Sequence, residues 1–202
     1  MCFPPLASGQ STKSRSSGGE YARHMPPVDD VRNASGPTPP RTGPDDRERV
    51  AEHLDLEAGR LGVPVLDDAG IRDLLQSTRR IAVIGASAEP GRPSNGVLRG
   101  LHAAGYDMVP VNPSADEVVG LRCYPTLAAA VAATGPVDIV DVFRRREACP
   151  GHAREAVAAG ARCFWLQLGL VSSEAGRIAH HGGLAVVMNR CTLIELERIR
   201  RS

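Results

Sequence analysis

The chain has 202 residues and a formal net charge of +1 at pH 7, so no long-range field draws nucleic acid or an acidic membrane surface to it. Its only lysine, Lys13, stands in a segment rich in proline, glycine and serine. A Walker-type or Schiff-base lysine is therefore excluded from the part of the chain that we expect to fold.

The cysteines and the start of the chain indicate the cellular compartment. No CxxC motif or Cys/His zinc spacing occurs among the five cysteines, which are Cys2, Cys123, Cys149, Cys163 and Cys191. Scattered thiols in odd number are typical of a reducing cytosol. The N-terminal sequence MCFPPLASGQ lacks the apolar core of a secretory signal, and no apolar run approaches the roughly eighteen residues of a membrane span. We expect a cytoplasmic protein without a metal site or a membrane segment.

The composition divides the chain into three parts. Residues 1–45 are rich in Pro, Gly, Ser, Thr and Arg, which predicts a disordered tail, with Met25 as an alternative start of the protein. Residues 46–66 predict an amphipathic helix and a linker. The apolar residues of this segment recur at spacings of three and four, at Val50, Leu54, Ala58 and Leu61. Residues 67–202 are predicted to form one domain.

Strands and helices alternate through this domain. A first helix is expected at residues 68–78, capped by Asp67 or Asp68, with Ile71, Leu74 and Leu75 facing inward. Short apolar runs predict strands at 81–84, 108–111, 137–142, 163–168 and 184–188. Helical patterns follow them at 94–104, 127–133, 147–159, 173–181 and 192–200. This order predicts an α/β fold with a doubly wound, parallel, five-stranded sheet and helices on both faces.

In such a sheet, ligands bind in the crevice at the carboxyl ends of the strands. The residues that directly follow each strand are therefore the candidate site residues. They are Gly85 to Ser94, Asn112 and Pro113, Phe143 and Arg144, Gln167 to Gly169, and Asn189 to Cys191.

The loop after the first predicted strand has the plan of an anion-binding turn. Backbone amides and the positive end of a helix dipole meet near Ser94, and Arg92 can grip a phosphate through two hydrogen bonds. The alternative is that Ser87 and Ser94 only cap helices and that Arg92 is solvated.

The sequence of the same loop is evidence against binding of a nicotinamide or flavin dinucleotide. The G-x-G-x-x-G fingerprint would need glycines where Ser87 and Pro90 stand. It would also need an acidic residue at the end of the second strand, where the sequence has Asn112 and Pro113. An NAD-dependent Rossmann enzyme stays an alternative, but two features of the sequence contradict it.

Six segments occur in order along the chain: IAVIGAS, PGRPSNGV, AGYDMVPVNP, VDIVDVFRR, FWLQLGL and VVMNRC. Together they resemble the small stand-alone CoA-binding domain proteins, a family similar to the CoA-binding domain of the succinyl-CoA synthetase alpha subunit. The resemblance covers Asp67 to Glu197 and implies a Rossmann-like domain that binds coenzyme A or an acyl-CoA. Asn189 departs from the pattern, since the family more usually has an acidic residue before Arg-Cys.

The resemblance also implies roles for the candidate site residues. The pyrophosphate would be faced by Gly85, Ala86 and Ser87, and its site completed by Arg92, Pro93 and Ser94. The adenosine end would be bordered by Asn112, Pro113, Phe143 and Arg144. The pantetheine arm would be followed by Gln167 and Gly169.

Elementary chemistry agrees with these roles. The phosphates of CoA need amides and arginine, which Arg92 and Arg144 supply, and its adenine needs an apolar wall such as Phe143. The alternative makes Phe143 ordinary core and makes Arg144 to Arg146 a solvated basic cluster. Trp165, inside an apolar strand, is expected in the core.

The sequence gives no reason to propose a catalytic residue. A CoA ligase would need a phosphorylatable histidine on a second domain, whereas His180 and His181 are expected at the end of a surface helix. Cys191 stands near the first turn of a helix, which makes it a candidate reactive thiol, with an inert buried cysteine as the alternative. The leading hypothesis is a non-catalytic module for CoA or acyl-CoA with an unknown protein partner. A scaffold that has lost its ligand is the remaining alternative.

Overall fold

The computed structural model of the protein describes residues 44–201. The predicted disordered tail at residues 1–45 and the alternative start at Met25 lie outside this part, except for the last two residues of the tail, which begin the first helix. Within residues 44–201 the helices are α1 (Pro44–Glu57), α2 (Asp68–Ser77), α3 (Pro93–Ala103), α4 (Leu127–Thr134), α5 (Cys149–Ala158), α6 (Ser173–His181) and α7 (Thr192–Arg201). The strands are β1 (Arg80–Ile84), β2 (Asp107–Val111), β3 (Glu117–Val118), β4 (Leu121–Arg122), β5 (Ile139–Val142), β6 (Cys163–Leu166) and β7 (Ala185–Val187).

Five strands form one parallel sheet in the order β2-β1-β5-β6-β7, which confirms the predicted doubly wound fold. Ile84, at the end of β1, pairs with Val111 on one side and with Val142 on the other. The loops after β1, β2 and β5 therefore leave the sheet at the same edge. After β1 the chain turns to β2 on one side and returns to β5 on the other, so the winding direction reverses between β1 and β5. That reversal is the position where sheets of this kind bind ligands.

Alternate residues of the strands enter two cores, one on each face of the sheet. Helices α2, α3 and α7 cover one face, where Ile81, Val83 and Trp165 are fully buried. Helices α4, α5 and α6 cover the other face. Trp165 is a core residue, as predicted, and its Nε1 donates a hydrogen bond to the Arg190 carbonyl at 2.7 Å. The helices on both faces thus cover the strands, and the loops at their carboxyl ends stay accessible to a ligand.

The predicted first helix of the domain is confirmed in its cap and its buried face. The Asp67 side chain accepts a hydrogen bond from the Gly70 amide at 2.8 Å, which makes it the N-cap of α2. The inward-facing residues are buried, as predicted, at Ile71, Leu74 and Leu75. This helix leads directly into β1, the first strand of the sheet along the chain.

A small hairpin of β3 and β4 follows β2, where the sequence predicted no strand. Its turn places Val119 at φ 54° and Gly120 at φ 74°. Two residues with positive φ form the kind of tight turn that usually carries Asn-Gly, and a β-branched valine is unfavourable there. The hairpin therefore lacks the usual sequence signal of its turn.

The apolar spacing predicted the wrong buried face for α1. Val50 and Leu54 were expected to face the domain, yet they are 59% and 55% exposed. The helix instead turns Glu52 and Leu56 toward the domain, and Leu56 packs against the core under α5 and α6. Glu52 forms an ion pair with Arg146 at 2.7 Å and accepts hydrogen bonds from Ser173, which hold the helix in this orientation. A hydrophobic pattern could not reveal it, since the deciding residue is charged.

Candidate functional site

The loops after β1 and β5 touch at the position where the winding of the sheet reverses. Gly85 has φ +84°, and a Cβ built on it would lie 2.8 Å from the Phe143 carbonyl oxygen. The Phe143 amide donates to the Ile84 carbonyl at 2.8 Å, and the Gly85 amide donates to the Val111 carbonyl at 2.9 Å. Glycine is thus required at position 85 by its backbone conformation and by this close approach.

Two asparagine side chains hold the turn after β1. Asn112 Nδ2 donates to the Ala86 carbonyl at 2.7 Å, and Asn95 Nδ2 donates to the Ser87 carbonyl at 2.8 Å. Unpaired carbonyl oxygens would repel an anion. Because two of them accept hydrogen bonds from asparagine side chains, the turn is more favourable for an anion. Ala86 itself is fully buried. Asn95 was not among the predicted site residues, although a polar residue next to the predicted apolar face of α3 was a possible signal.

The N-terminus of α3 has no side-chain cap. Arg92 stands at the N-cap without a capping hydrogen bond, Pro93 occupies the first turn, and Ser94 is buried behind it. The Ser87 hydroxyl accepts from the Glu89 amide at 3.2 Å, within the loop. The alternative in which Ser87 and Ser94 cap helices is therefore wrong, because neither side chain caps α3. Pro93 has no N–H and the Asn95 amide donates to the Arg92 carbonyl at 3.0 Å, so the Ser94 amide and the helix dipole are what favour an anion here.

Arg92 is the cation nearest to this helix start in sequence. Its Nε lies 3.0 Å from Glu89 Oε2, and both side chains are largely exposed. An exposed pair of this kind contributes little, so a phosphate can compete with Glu89 for the guanidinium.

The loop after β5 divides the predicted basic cluster into two kinds of arginine. Arg144 and Arg145 are exposed, whereas the Arg146 side chain is only 19% exposed and pairs with Glu52 and Glu48. The alternative of a solvated cluster is therefore wrong for Arg146. Phe143 is half-buried, with one side packed against the core and another open to cavities at the strand ends.

Two cavities meet at Phe143 and Arg144. A cavity of about 630 Å³ is lined by Phe143 to Arg145 together with Glu147 and Ala148. A second cavity, of about 380 Å³, lies between the starts of α3 and α7. Its lining is mainly apolar and includes Pro93, Val97, Leu168, Leu170 and Ile194.

Gln167 lines the smaller cavity, but its side-chain amide forms hydrogen bonds with residues below the cavity floor. The side chain is 4% exposed, and Nε2 lies 2.8 to 2.9 Å from both carboxylate oxygens of Asp141 and 2.8 Å from the Thr192 hydroxyl. The Thr192 hydroxyl also donates to Asp141 at 3.0 Å. These three residues form a closed polar network under the cavity floor.

Burial raises the pKa of Asp141 to about 7, although hydrogen bonds from Gln167, from Thr192 and from the backbone at Val142 oppose that rise. The sequence analysis missed Asp141 and Thr192. An aspartate inside the apolar run VDIVDV was the available signal, because a carboxylate in a buried strand needs partners.

The loops after β6 and β7 are joined by Asn189. Its Oδ1 accepts from the Gly169 amide at 2.8 Å, and its own amide donates to the Leu170 carbonyl at 3.1 Å. Asn189 has φ +55°, a conformation that asparagine adopts more readily than most residues. The asparagine that departs from the family pattern thus holds the loop that carries Gly169.

The structure brings most of the predicted site residues to one edge of the sheet. The smaller cavity is shared by Pro93, Phe143, Arg144 and Gln167. The Asn112 side chain donates to the Ala86 carbonyl, as described above, and its Oδ1 accepts from the Ser114 amide at 3.0 Å. Pro113, the next residue, is exposed. Gly169 stands between Leu168 and Leu170, which line the same cavity, and its amide donates to Asn189.

Cys191 and the histidine pair take different positions. Cys191 is half-buried, directly precedes α7 and lines the smaller cavity. His180 and His181 are exposed in the last turn of α6, as predicted. Because α6 leads back to the start of β7, these histidines lie at the opposite edge of the sheet from the crevice.

No helix within residues 44–201 is both long and apolar enough to cross a membrane.

The fold and this edge of the sheet define a Rossmann-like α/β domain. The chain belongs to the CoA binding domain family, whose sequence profile matches residues 79–197. Helices α1 and α2 precede the matched region.

Several relatives share this domain. The uncharacterized protein YneT of Bacillus subtilis is 42% identical over 123 residues, covering 61% of this chain and 89% of that protein. The solved structure of a hypothetical protein from Pyrococcus horikoshii is 36% identical, with a TM-score of 0.63, covering 67% of this chain and 93% of the other. An ADP-forming acetate–CoA ligase II of Archaeoglobus fulgidus is 39% identical over 59 residues, which are 28% of this chain and 9% of the ligase.

Proposed function

We propose that this protein binds coenzyme A or an acyl-CoA, without catalysing a reaction, in the crevice where the winding of the sheet reverses. One observation carries the proposal: the start of α3, which has no side-chain cap, follows the turn after β1, whose Ala86 and Ser87 carbonyls are bonded to Asn112 and Asn95. A helix N-terminus beside a turn whose carbonyls are already bonded is an arrangement that favours a pyrophosphate.

The phosphate site would combine backbone amides with Arg92. Because the Gly85 amide already donates to Val111, the Asn95 amide donates to Arg92 and Pro93 has no N–H, the amides assigned to a pyrophosphate are those of Ala86, Ser87 and Ser94, with Pro93 beside them. Arg92 would exchange its exposed partner Glu89 for phosphate oxygens.

The adenosine end would lie on the loop after β5, within the larger cavity. Phe143 offers a half-buried ring as an apolar wall, and the exposed Arg144 offers a cation for the 3'-phosphate. Asn112 and Pro113 would border this end from the loop after β2.

The pantetheine arm would follow the smaller cavity past Gln167 toward Cys191, with Gly169 at the far loop. The amide of Gln167 is already bonded to Asp141, so the cavity offers mainly apolar contact to the arm and to any acyl group. The Thr192 hydroxyl that donates to Asp141 is fully buried, out of reach of a bound thioester. Binding without catalysis is consistent with this arrangement.

Calorimetry on the full chain tests the proposal with four ligands: CoA, 3'-dephospho-CoA, NAD and ATP. We expect CoA to bind, dephospho-CoA to bind more weakly because it lacks the phosphate assigned to Arg144, and NAD and ATP not to bind. Binding of NAD in preference to CoA would favour a dinucleotide enzyme. An absence of binding by all four ligands would overturn the proposal in favour of a scaffold.

A further inference from the structure

The side chain of Glu52, on α1, joins two loops of the sheet. Its Oε2 accepts hydrogen bonds from Arg146 Nε and Nη2 at 2.9 and 2.7 Å. Its Oε1 accepts from the Ser173 amide at 3.0 Å and from the Ser173 hydroxyl at 2.6 Å. Glu48, one helical turn earlier, accepts from Arg146 Nη2 at 3.0 Å. We refer to Glu48, Glu52, Arg146 and Ser173 as the Glu52 clasp.

Glu52 and Arg146, the two central residues of the clasp, are both charged at neutral pH. Burial alone would raise the pKa of Glu52, but hydrogen bonds from Ser173 and Arg146 outweigh it and lower the pKa. Burial would lower the pKa of Arg146, but its bonds to Glu52 and Glu48 outweigh that effect and raise it. Charge-assisted hydrogen bonds at low exposure are stronger than exposed ion pairs.

The clasp holds one end of the loop that carries Arg144. At the other end, the Phe143 amide is bonded to Ile84 and its carbonyl lies against Gly85. Arg146 begins the 3-10 turn that leads into α5. Arg144 and Arg145 thus span the short distance between two fixed points.

The attachment of α1 depends on these charges. Val50 and Leu54 are exposed, so the helix lacks an apolar stripe against the domain, and Leu56 is its main apolar contact. The helix also lies outside the region that matches the family, which begins at residue 79. The clasp is therefore formed between this additional helix and the family domain.

We propose that Glu52 is a positioning residue for the ligand crevice: through Arg146 it fixes the loop after β5 so that Phe143 and Arg144 face the bound nucleotide. This inference rests on the proposed CoA binding. The side chain acts from α1 and lies in neither of the cavities that Arg144 lines. Its effect on a ligand must therefore pass through the loop.

The first test is Glu52→Gln in the full chain. Glutamine keeps an acceptor for Ser173 but removes the charge that holds Arg146. We expect CoA affinity to fall about tenfold, within the usual range for coupled neighbours. Amide hydrogen exchange should become faster at residues 144–149 and stay unchanged at residues 85–92. The matched control is Asp55→Asn, on the same helix as Glu52, which removes an exposed ion pair with Arg60 beyond the end of that helix and should change neither quantity.

A double-mutant cycle separates positioning from general stabilisation. Because Glu52 positions Arg144 together with Phe143, Glu52→Gln should cost less affinity in an Arg144→Ala background than in the wild type. Equal losses in both backgrounds, or unchanged exchange at residues 144–149, would overturn this inference alone. A wild-type chain that does not bind CoA would overturn the proposed function and the positioning role together.

Discussion

Gly85 and Phe143, which follow neighbouring strands, lie so close that a side chain at position 85 would overlap the Phe143 carbonyl. The contact joins the turn after β1 to the loop after β5 at the position where the winding of the sheet reverses. It makes one continuous surface from the segment expected to hold phosphates and the segment expected to hold adenosine. The identity of residue 85 is therefore important for both the fold and the ligand.

Gly85→Ala should lower both stability and CoA affinity. A left-handed backbone costs a residue with a side chain about 1 to 2 kcal/mol, and the new methyl group would lie 2.8 Å from the Phe143 oxygen. We expect the melting temperature to fall by several degrees and CoA affinity to fall at least tenfold, as measured by thermal unfolding and calorimetry.

The control for this change is Gly105→Ala. Gly105 has φ +99° but no neighbouring atom within 4 Å of a Cβ, so its substitution costs only the backbone conformation. A melting temperature that falls equally in both variants, with CoA binding unchanged in Gly85→Ala, would show that the close approach to Phe143 has no role.

Arg92→Ala should weaken CoA binding by about tenfold, because a bidentate contact to phosphate is lost. The matched control is Arg154→Ala, since Arg92 and Arg154 are 66% and 64% exposed and Arg154 lies on α5, away from the turn. Calorimetry at low and high salt should show that the wild type loses more affinity with salt than Arg92→Ala does. Equal affinities for the two variants would remove Arg92 from the site.

Glu89→Gln also tests the contact between Arg92 and phosphate, but here the expected change is tighter binding of CoA. It removes the carboxylate that pairs with Arg92, so CoA should bind more tightly than to the wild type. Weaker binding would mean that Glu89 positions Arg92 for the ligand instead of competing with it.

The sheet and the edge that carries the site could be predicted because they depend on apolar runs of regular length. Each strand of the main sheet is a short apolar segment between turn residues, and β1 to Gly85 is the clearest case. The predicted order of strands and helices was enough to expect Phe143 and Arg144 near Gly85, because the carboxyl ends of parallel strands lie at the same edge of the sheet. The roles assigned to individual residues along CoA stay predictions.

Features that depend on specific polar contacts could not be predicted. The spacing of Val50 and Leu54 indicated the wrong face of α1, because Glu52 and its partners decide how the helix lies. Asn95 and Asp141 act through hydrogen bonds to residues distant in sequence, and hydrophobic periodicity carries no information about such partners.

The smaller cavity should favour an apolar acyl group. Its lining is mainly aliphatic, and each buried methylene contributes about 0.8 kcal/mol, so octanoyl-CoA should bind more tightly than CoA and succinyl-CoA more weakly. Ile194→Asp should abolish the gain from the octanoyl chain. Val50→Asp, at a similarly exposed apolar residue on α1, should leave it intact. Succinyl-CoA binding as tightly as octanoyl-CoA would contradict an apolar cavity.

Asp141→Asn should change the pH dependence of stability. The pKa of Asp141 is raised by burial to about 7, so between about pH 4 and pH 7 the folded protein keeps a proton that the unfolded chain has lost. Wild-type stability should therefore fall by at most about 1.4 kcal/mol per pH unit across that window, and no further above it. Asparagine cannot ionise, and Nδ2 can donate to the Thr192 hydroxyl where Asp141 accepted from it. The stability of the variant relative to the wild type should thus rise from pH 4 to pH 7.

Asp138→Asn is the matched control, because its carboxylate has the opposite response. Burial would raise the pKa of Asp138, but hydrogen bonds from the Arg80 and Arg79 amides and from the Arg162 side chain outweigh it and lower the pKa. The carboxylate therefore stabilises the fold above its unfolded pKa, and the benefit is lost on acidification, so the cost of Asp138→Asn should shrink as pH falls. Urea unfolding from pH 3 to pH 8 measures both differences, because the Asp138 change falls at and below about pH 4 and the Asp141 change between about pH 4 and pH 7. A flat difference for Asp141→Asn would mean that Asp141 is ionised throughout, and that the network with Gln167 and Thr192 holds a carboxylate under the cavity floor.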